Sequence, residues 1–360
     1  MNRRLFTPGP VELSQGVVEA MSRQPISHKS DEFIALTRDV CTNLQWLCGS
    51  TQSIALLAGS GTTAIEATIA SLGVRGAPCL VLVHGRFGER IANILTTYGA
   101  IVHTHSVEWG TDIAPSAVAT TVASIPHLHS VWLVHSETST GVTLDVAGIA
   151  DAIRSQSPQA FLCVDAVTSV GIHEVALDGW GLDAVMTGSQ KGLCAPPGVG
   201  VVALSERARL HAEQHSAVST VLHLPTTLRS IEQTGLLPWT PPVTVMAALQ
   251  ASLIELRSES RESIWQRHAQ VSEALQEGLT NRGFRLFGAS TSHAVTVVEH
   301  DSPDTIIRGL LRMYGITIAP GQDRLAASVF RLGTCGGVTI SDVLYLLDAL
   351  QHVNAQIQPR

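Results

Sequence analysis

Between residues 53 and 214 the chain alternates short apolar runs with longer segments in which apolar residues recur at helical spacing. The apolar runs read "SIALL", "CLVLVH", "VWLVH", "FLCVDAV", "LDAVMTG" and "GVGVVALS". Strands that are apolar throughout are buried on both faces, and strands joined by helices run parallel to one another. The alternation therefore predicts an α/β fold whose mostly parallel sheet is covered by helices on both sides.

The length and the later part of the chain indicate a second, smaller unit. The chain has 360 residues, more than one compact unit usually contains. After "LLPWTPPV" the pattern changes to two long helical segments, "VTVMAALQASLIELRS" and "IWQRHAQVSEALQEGLTN", followed by a mixture of short strands and helices. We predict an N-terminal segment over residues 1–20, a large domain over 21–255 and a small C-terminal α+β domain over 256–360.

Charge and cysteine usage argue against several classes of function. The net charge is −7 and no segment concentrates lysine and arginine, so we expect no nucleic-acid partner. No apolar run reaches the ~18 to 20 residues of a membrane span, and the chain opens without a secretory signal, so we expect a cytoplasmic protein without a membrane partner. The six cysteines are scattered without zinc-type spacing, which indicates reduced thiols and no metal site.

Polar segments follow several of the predicted strands. They read "GSGTT", "HGRFG", "HSETSTG", "DAVTS" and "GSQK". In a parallel sheet the carboxyl ends of the strands meet at one edge, and ligands bind in the crevice beyond that edge. These segments therefore predict a small-molecule site at the carboxyl edge of the sheet.

Three features of that edge admit both a chemical and a structural explanation. The turn "AGSGTTAIEA" offers backbone N–H groups to a phosphate at a helix N-terminus, but a tight strand-to-helix turn uses the same residues. Asp165 ends a strand, where it either pairs with a cation or caps the next turn. Lys191, in "GSQKGLCAPPG", is either a surface lysine or an amine whose proton affinity burial lowers, as a Schiff base requires.

Together with a separate small domain, the three features describe a site for pyridoxal 5′-phosphate (PLP). The turn would anchor the phosphate, and Asp165 would keep the pyridine nitrogen protonated. Lys191 would hold the aldehyde carbon and transfer the α-proton of the substrate. The combination favours the chemical explanation of each feature over the structural one.

Six motifs of the chain occur in the order and spacing of a known family: "GSGTTAIEA", "HSETSTG", "VDAVTS", "GSQKGLCAPPGVG", "LLPWTPPV" and "FRLGTCG". The chain resembles the class V (fold type I) PLP-dependent aminotransferases, most closely the alanine–glyoxylate and serine–glyoxylate group. The likeness runs from "TPGP" to the final helix. It implies a fold type I PLP transferase, with a mostly parallel seven-stranded sheet sandwiched by helices and a small α+β C-terminal domain.

The resemblance also implies roles for individual residues. Lys191 would carry the cofactor as a Schiff base, Asp165 would bind the pyridine nitrogen, and Arg331 would bind the substrate's α-carboxylate. The active site would be shared between the two subunits of a homodimer. The other residues that it implies around the cofactor are Ser60, Gly61, Thr62, Phe87, Thr138, Val167, Gln190 and, from the neighbouring subunit, Thr240.

The activity that the resemblance implies is transamination. A small amino acid of the alanine or serine type would give its amino group to a small 2-oxo acid, glyoxylate or pyruvate, by a ping-pong mechanism through Lys191. An alternative is a 2-aminoethylphosphonate–pyruvate transaminase, whose motifs are close to "VHSETSTG". A further alternative is a PLP-dependent lyase or cysteine desulfurase, for which Cys335 is the candidate nucleophile.

The substrate pocket departs from the family pattern at two places. Lys29 in "ISHKSDEF" stands where the group usually has arginine, and Cys335 and Gly336 stand where the group often has His-Met-Gly. Donor preference depends on a few side chains and on loop geometry. The sequence therefore predicts the reaction class and leaves the amino donor and acceptor open.

Overall fold

The computed structural model describes residues 4–357. In that range the helices are α1 Gln15–Ser22, α2 Asp31–Leu47, α3 Gly61–Ser71, α4 Arg86–Thr97, α5 Pro115–Ala123, α6 Val146–Gln156, α7 Glu206–Glu213, α8 Leu224–Thr234, α9 Val243–Arg257, α10 Arg261–Asn281, α11 Pro303–Tyr314 and α12 Ile340–Ile357. The strands are β1 Arg4–Phe6, β2 Ile54–Gly59, β3 Pro78–Val83, β4 Ile101–Ser106, β5 Ser130–Val134, β6 Ser136–Glu137, β7 Val142–Thr143, β8 Phe161–Asp165, β9 Ala184–Gly188, β10 Gly198–Leu204, β11 Arg285–Leu286, β12 Val295–Glu299, β13 Ile316–Pro320 and β14 Val329–Gly333. None of the helices in this range is both long enough and apolar enough to cross a membrane.

The larger sheet has seven strands in the order β2-β10-β9-β8-β5-β3-β4. Neighbours from β9 to β4 run parallel, whereas β10 runs antiparallel to both β2 and β9. The expected mostly parallel α/β sheet is confirmed. The carboxyl ends of β8, β9 and β5 lie side by side, so the segments that follow them share one edge.

The apolar runs of the sequence form β2, β3, β5, β8, β9 and β10, but the alternation does not predict β4. This strand, "IVHTHS", lies at the edge of the sheet, and most of its side chains are exposed or half-buried. An edge strand needs no apolar run because solvent covers one side of it. The strand is therefore invisible to a search for continuous apolar residues.

Two apolar clusters cover the two faces of the larger sheet. One includes Leu56, Leu133 and Val185 with residues of α2, α6 and α9. The other includes Leu57, Trp132 and Met186 with residues of α3 and α4. Successive strand residues thus point to opposite faces, and each is buried, as the continuous apolar runs require.

A second, five-stranded sheet has the order β1-β13-β14-β12-β11, with helices α10, α11 and α12 contributing to its core. Strand β1, near the start of the chain, pairs parallel with β13, and Phe6 is buried in this core. The N-terminal segment therefore joins the smaller sheet. The division into domains at residues 20 and 255 stays a prediction.

Four buried histidines and a half-buried fifth, His293, form a cluster between the larger sheet and the segments that lead into the smaller one. They are His84, His135, His173, His268 and His293, and burial lowers the pKa of each. The rings of His173 and His293 stack with centroids 4.5 Å apart. The backbone N–H of His293 donates to Nε2 of His173 at 3.1 Å, so that nitrogen must be unprotonated. The cluster fits only neutral imidazoles.

Acid should therefore unfold the protein early. Each of these histidines has a folded-state pKa below the ordinary value of 6.5, falling to about 4 for His84 and His268. The unfolded chain therefore binds more protons than the native state in this range. The free energy of unfolding decreases as pH falls from about 6.5 toward 4. Each such histidine contributes a slope of about 1.4 kcal/mol per pH unit.

Urea unfolding at pH 7, 6 and 5 measures this loss. The raised pKa values of Asp165, about 7, and of Glu137 act in the opposite direction, but these are two groups against five histidines. The variant His268→Leu should flatten the pH dependence. A free energy of unfolding that stays constant from pH 6.5 to 5 contradicts the interpretation.

Candidate active site

A cavity of about 370 Å³ opens at the carboxyl edge of the larger sheet. It lies where the polar segments after β2, β3, β5, β8 and β9 meet. Its wall includes the predicted residues Gly61, Thr62, Phe87, Thr138, Asp165, Val167, Gln190 and Lys191. The predicted crevice exists, and it gathers these eight residues from across the chain.

Lys191 occupies the turn that connects β9 with β10. Ser189 closes this turn, because its backbone N–H donates to the carbonyl of Val199 at 3.0 Å and its carbonyl accepts from the N–H of Ala195 at 2.9 Å. The lysine Nζ donates to the carbonyl of Pro8 at 2.6 Å. Burial lowers the pKa of Lys191, and nearby Arg331 adds to this effect, whereas Cys335 and Asp165 oppose it.

The N-terminal "TPGP" segment packs directly on this lysine. A Cβ atom added to Gly9 would lie 2.4 Å from Cδ of Lys191, and Gly9 has a φ of +129°, where other residues are strained. Only glycine allows the chain to approach the lysine this closely. Gly9 and Pro10 line the cavity although the sequence marked them only as a turn, because a local pattern does not show what a turn faces.

Asp165 is the last residue of β8 and lies buried in the same cavity. Its Oδ1 accepts the N–H of Val167 at 3.0 Å, and within residues 4–357 its Oδ2 makes no hydrogen bond. Burial, together with the charge of Glu137, raises the pKa of Asp165 to about 7. The cavity therefore holds a carboxyl group that lacks a cationic partner in direct contact.

The turn between β2 and α3 brings helix N–H groups to the cavity. Ser60 is the N-cap of α3, and its backbone N–H donates to Oγ1 of Thr63 at 3.0 Å. A Cβ on Gly61 would lie 2.3 Å from Cγ2 of Val167, so glycine is needed where the helix meets the segment after β8. The first N–H groups of a helix have no partner within it, and they attract an anion.

Phe87 enters the cavity from the first turn of α4. The guanidinium carbon of Arg90 lies 4.6 Å from the centroid of the Phe87 ring, and Arg90 also lines the cavity. The sequence interpretation missed Arg90. Its position three residues after Phe87 could have indicated it, because residues three apart on a helix share a face.

Arg331 lies beside the cavity wall, on β14 of the smaller sheet. Its Nε donates to the carbonyl of Pro320 at 2.8 Å, and its Nη1 donates to the carbonyl of Thr138 at 2.9 Å. The side chain is buried, which lowers its pKa to about 10, although the charge of Glu137 opposes that shift. The contact with Thr138 ties this arginine of the smaller sheet to the wall of the cavity.

Two of the predicted residues stand apart from this cavity. The side chain of Ser60 is half-buried at the helix cap, and Ser60 is not part of the lining. Thr240 is exposed, as is the neighbouring Trp239, 43% of which is accessible to solvent. Thr240 therefore contributes nothing to the cavity of its own chain.

Comparison with known proteins identifies the family. The model of the "Aminotransferase class-V" family matches residues 20–353. The chain belongs to the class-V aminotransferases. Its relatives include the soluble hydrogenase 42 kDa subunit of Anabaena cylindrica, 34% identical over 97% of this chain and 92% of the relative. Another is the serine–glyoxylate aminotransferase of Methylorubrum extorquens, 30% identical over 92% of this chain and 86% of the relative.

The fold agrees with this assignment. The crystal structure of an alanine–glyoxylate aminotransferase from Nostoc sp. superposes with a TM-score of 0.93 at 30% identity, covering 98% of this chain and 96% of that one. The expected fold type I architecture is thereby confirmed, and the protein is a PLP-dependent aminotransferase.

The residues of this aminotransferase fit PLP. A carboxylate without a cationic partner suits a protonated ring nitrogen, and the N-terminus of α3 suits a phosphate. The buried Oε1 of Gln190 has no hydrogen-bond partner within residues 4–357, which marks the amide as available to a ligand. Lys191 would attach the cofactor, Asp165 would hold its ring nitrogen, and the first turn of α3 would hold its phosphate.

Substitution of Gly61 by alanine should weaken cofactor binding. The added Cβ would displace Val167 from the cavity wall, and such overpacking costs about 1–3 kcal/mol, which corresponds to a roughly tenfold to hundredfold weaker affinity. Equilibrium titration of cofactor-free protein with PLP measures the change. Gly337→Ala is the matched control, because nothing lies within 4 Å of its Cβ. Equal affinities in both variants would show that the turn does not shape the site.

Proposed function

We propose that this aminotransferase moves an amino group from a small amino acid of the alanine or serine type to a small 2-oxo acid, glyoxylate or pyruvate. The names of the relatives from Methylorubrum extorquens and Nostoc sp. support glyoxylate as an acceptor. The observation that carries the proposal is the convergence of Lys191, Asp165 and Phe87 on one cavity, with Arg331 bonded to its wall.

We further propose the role of each site residue. Lys191 is the attachment point and the acid–base group, Asp165 binds the ring nitrogen, and Phe87 and Val167 contact the two faces of the ring. Arg331 binds the substrate's α-carboxylate, since among residues 4–357 two of its five N–H donors are used and three are available. The residues that hold the phosphate and the ring hydroxyl are Ser60, Gly61, Thr62, Gln190 and Thr138.

The reaction needs a proton to leave the substrate's α-carbon and another to be delivered in the reverse half-reaction. When bound, PLP acts as an electron sink that stabilises the negative charge left on that carbon. Nζ of Lys191 takes and returns the proton, because burial lowers its pKa and leaves more of it as free amine at neutral pH. The "TPGP" segment packs on this lysine, and the carbonyl of Pro8 accepts from its Nζ, which limits the contact of the amine with solvent.

The size of the cavity supports small substrates. Its 370 Å³ lies near the lower end of the ~300–1,000 Å³ found for small-molecule sites. Much of that space would be filled by the cofactor. The remaining volume suits a donor with one or two side-chain atoms better than a long or aromatic one.

Replacement of Lys191 by alanine should abolish both attachment and turnover. Borohydride reduction of the holoenzyme should add the mass of the cofactor to the unmodified protein and add nothing to Lys191→Ala. A panel of alanine, serine, glycine, aspartate, cysteine and 2-aminoethylphosphonate, each with glyoxylate or pyruvate, identifies the donor. Alanine or serine should react fastest at low concentration. Preference for the phosphonate, or release of sulfide from cysteine without an acceptor, would overturn the substrate assignment.

We also propose that the protein is a cytoplasmic homodimer whose active sites are shared. The support is the position of Thr240, which is exposed and does not line the cavity of its own chain although its motif "LLPWTPPV" resembles the family's. The exposed Trp239 beside it adds an apolar surface that a partner subunit would cover. In this arrangement Thr240 of one subunit donates to the phosphate in the other.

The variant Thr240→Val should bind the cofactor about tenfold more weakly, the effect of one lost hydrogen bond to a charged group. Sedimentation should show a dimer for both the unmodified protein and the variant. Thr305→Val is the control, since it removes another exposed threonine, on α11. A monomer in solution, or equal cofactor affinity in the two variants, contradicts the shared site.

A further inference from the structure

Glu137, the last residue of the short strand β6, is fully buried within the motif "HSETSTG". Four donors surround its carboxylate. Oε1 accepts from the N–H of Ser139 at 3.0 Å and from its hydroxyl at 2.6 Å. Oε2 accepts from the N–H of Phe87 at 2.9 Å and from that of Gly88 at 3.4 Å.

These partners favour the ionised form of Glu137. Burial raises its pKa, but all three backbone partners are obligate donors. The hydroxyl of Ser139 also accepts from the N–H of Arg86 at 3.0 Å, which leaves its own hydrogen free to donate to Glu137. Among residues 4–357, Oε2 contacts N–H donors alone, so a proton on that oxygen would have no acceptor. Four hydrogen bonds from donors instead stabilise a carboxylate.

The carboxylate of Glu137 acts as the N-terminal cap of α4. Gly85 precedes α4 and has no side chain to accept from the first turn, so Glu137 accepts from Phe87 and Gly88 across the chain. A Cβ on Gly85 would lie 2.3 Å from Cγ of Glu137, which shows how closely the helix entrance and the carboxylate approach. The position of the first turn of α4, which carries Phe87, thus depends on Glu137.

The same short segment also reaches the smaller sheet. The carbonyl of Thr138, next to Glu137, accepts from Nη1 of Arg331 at 2.9 Å. Ser136 shares a hydrogen bond with Ser292 through their hydroxyls at 2.8 Å. Residues 136–139 therefore connect the helix that carries Phe87 with the strand that carries Arg331.

We propose that Glu137 is a positioning residue for the aminotransferase reaction: its buried carboxylate caps α4 from across the chain and fixes Phe87 against the cofactor ring, in register with Arg331. This inference rests on the proposed role of Phe87. The proposed role is to fix the position of α4. A variant that displaces the carboxylate but keeps its charge should therefore have the same effect as a variant that neutralises it.

Two variants separate geometry from charge. Glu137→Gln keeps the shape of the side chain but turns an NH₂ group toward one of the two donor pairs. Gly85→Ala keeps the charge but pushes the carboxylate away from α4; its φ of 176° is extended backbone that alanine adopts freely, so the effect is steric. Each is measured by the circular dichroism of the bound cofactor, by cofactor affinity and by thermal unfolding of the cofactor-free protein.

A buried carboxylate at the opposite edge of the sheet provides the control. Asp183 precedes β9 and accepts from Arg154 at 2.7 Å, from the N–H of Leu162 at 2.9 Å and from the hydroxyl of Ser205 at 2.9 Å. Asp183→Asn removes a comparably bonded charge without touching the cavity. It should lower thermal stability and leave the cofactor signals unchanged.

We expect Glu137→Gln and Gly85→Ala each to weaken cofactor affinity roughly tenfold or more and to reduce the dichroism of the bound cofactor. Wild-type affinity and dichroism in both variants, or changes no larger than those of Asp183→Asn at equal loss of stability, would overturn the proposal. An effect in Glu137→Gln alone would assign the role to charge and also overturn it. Failure of the proposed function would differ, because the unmodified protein would then not bind PLP.

Discussion

The burial of the Lys191 amine is the constraint on which the site depends. Among residues 4–357 its one hydrogen-bond partner is the carbonyl of Pro8, which is neutral, and burial lowers its pKa. Burial raises the pKa of Asp165 in the same cavity. Both shifts favour the uncharged forms, because a charge without a close partner is costly in an apolar wall. A ligand that brings a cationic ring nitrogen and an anionic phosphate supplies the charges that this cavity lacks.

The arrangement requires the segment that follows β1 to contact both sheets. Strand β1 pairs with β13 of the smaller sheet, and the following turn crosses to cover Lys191 on the larger one. A Cβ on Gly333 would lie 2.1 Å from backbone atoms of Thr7, so this turn is also pressed against β14. Because Arg331 is on that strand, the cover over the lysine and the arginine beside the cavity are held by one element.

The segment of residues 136–139 restrains the same cavity through α4 and Arg331. It caps α4 through a side chain and holds Arg331 through a backbone carbonyl. A buried carboxylate with four donors is a strong restraint because losing any donor would leave a charge poorly solvated in the interior. The ring at Phe87 and the guanidinium at Arg331 thus have a common support.

Local pattern was enough for the fold class, the family and half of the residues that line the cavity. Continuous apolar runs marked six strands of the larger sheet, and residues at the ends of those strands had to meet because parallel strands share one carboxyl edge. Three features were not predictable in this way: the edge strand β4, the contact of Pro8 and Gly9 with Lys191, and the helix cap supplied by Glu137. The side chains of β4 face solvent and leave no apolar pattern in the sequence. The contacts of Pro8 and Glu137 join residues that are far apart in the chain. Only the packing of the whole molecule decides which of them come into contact.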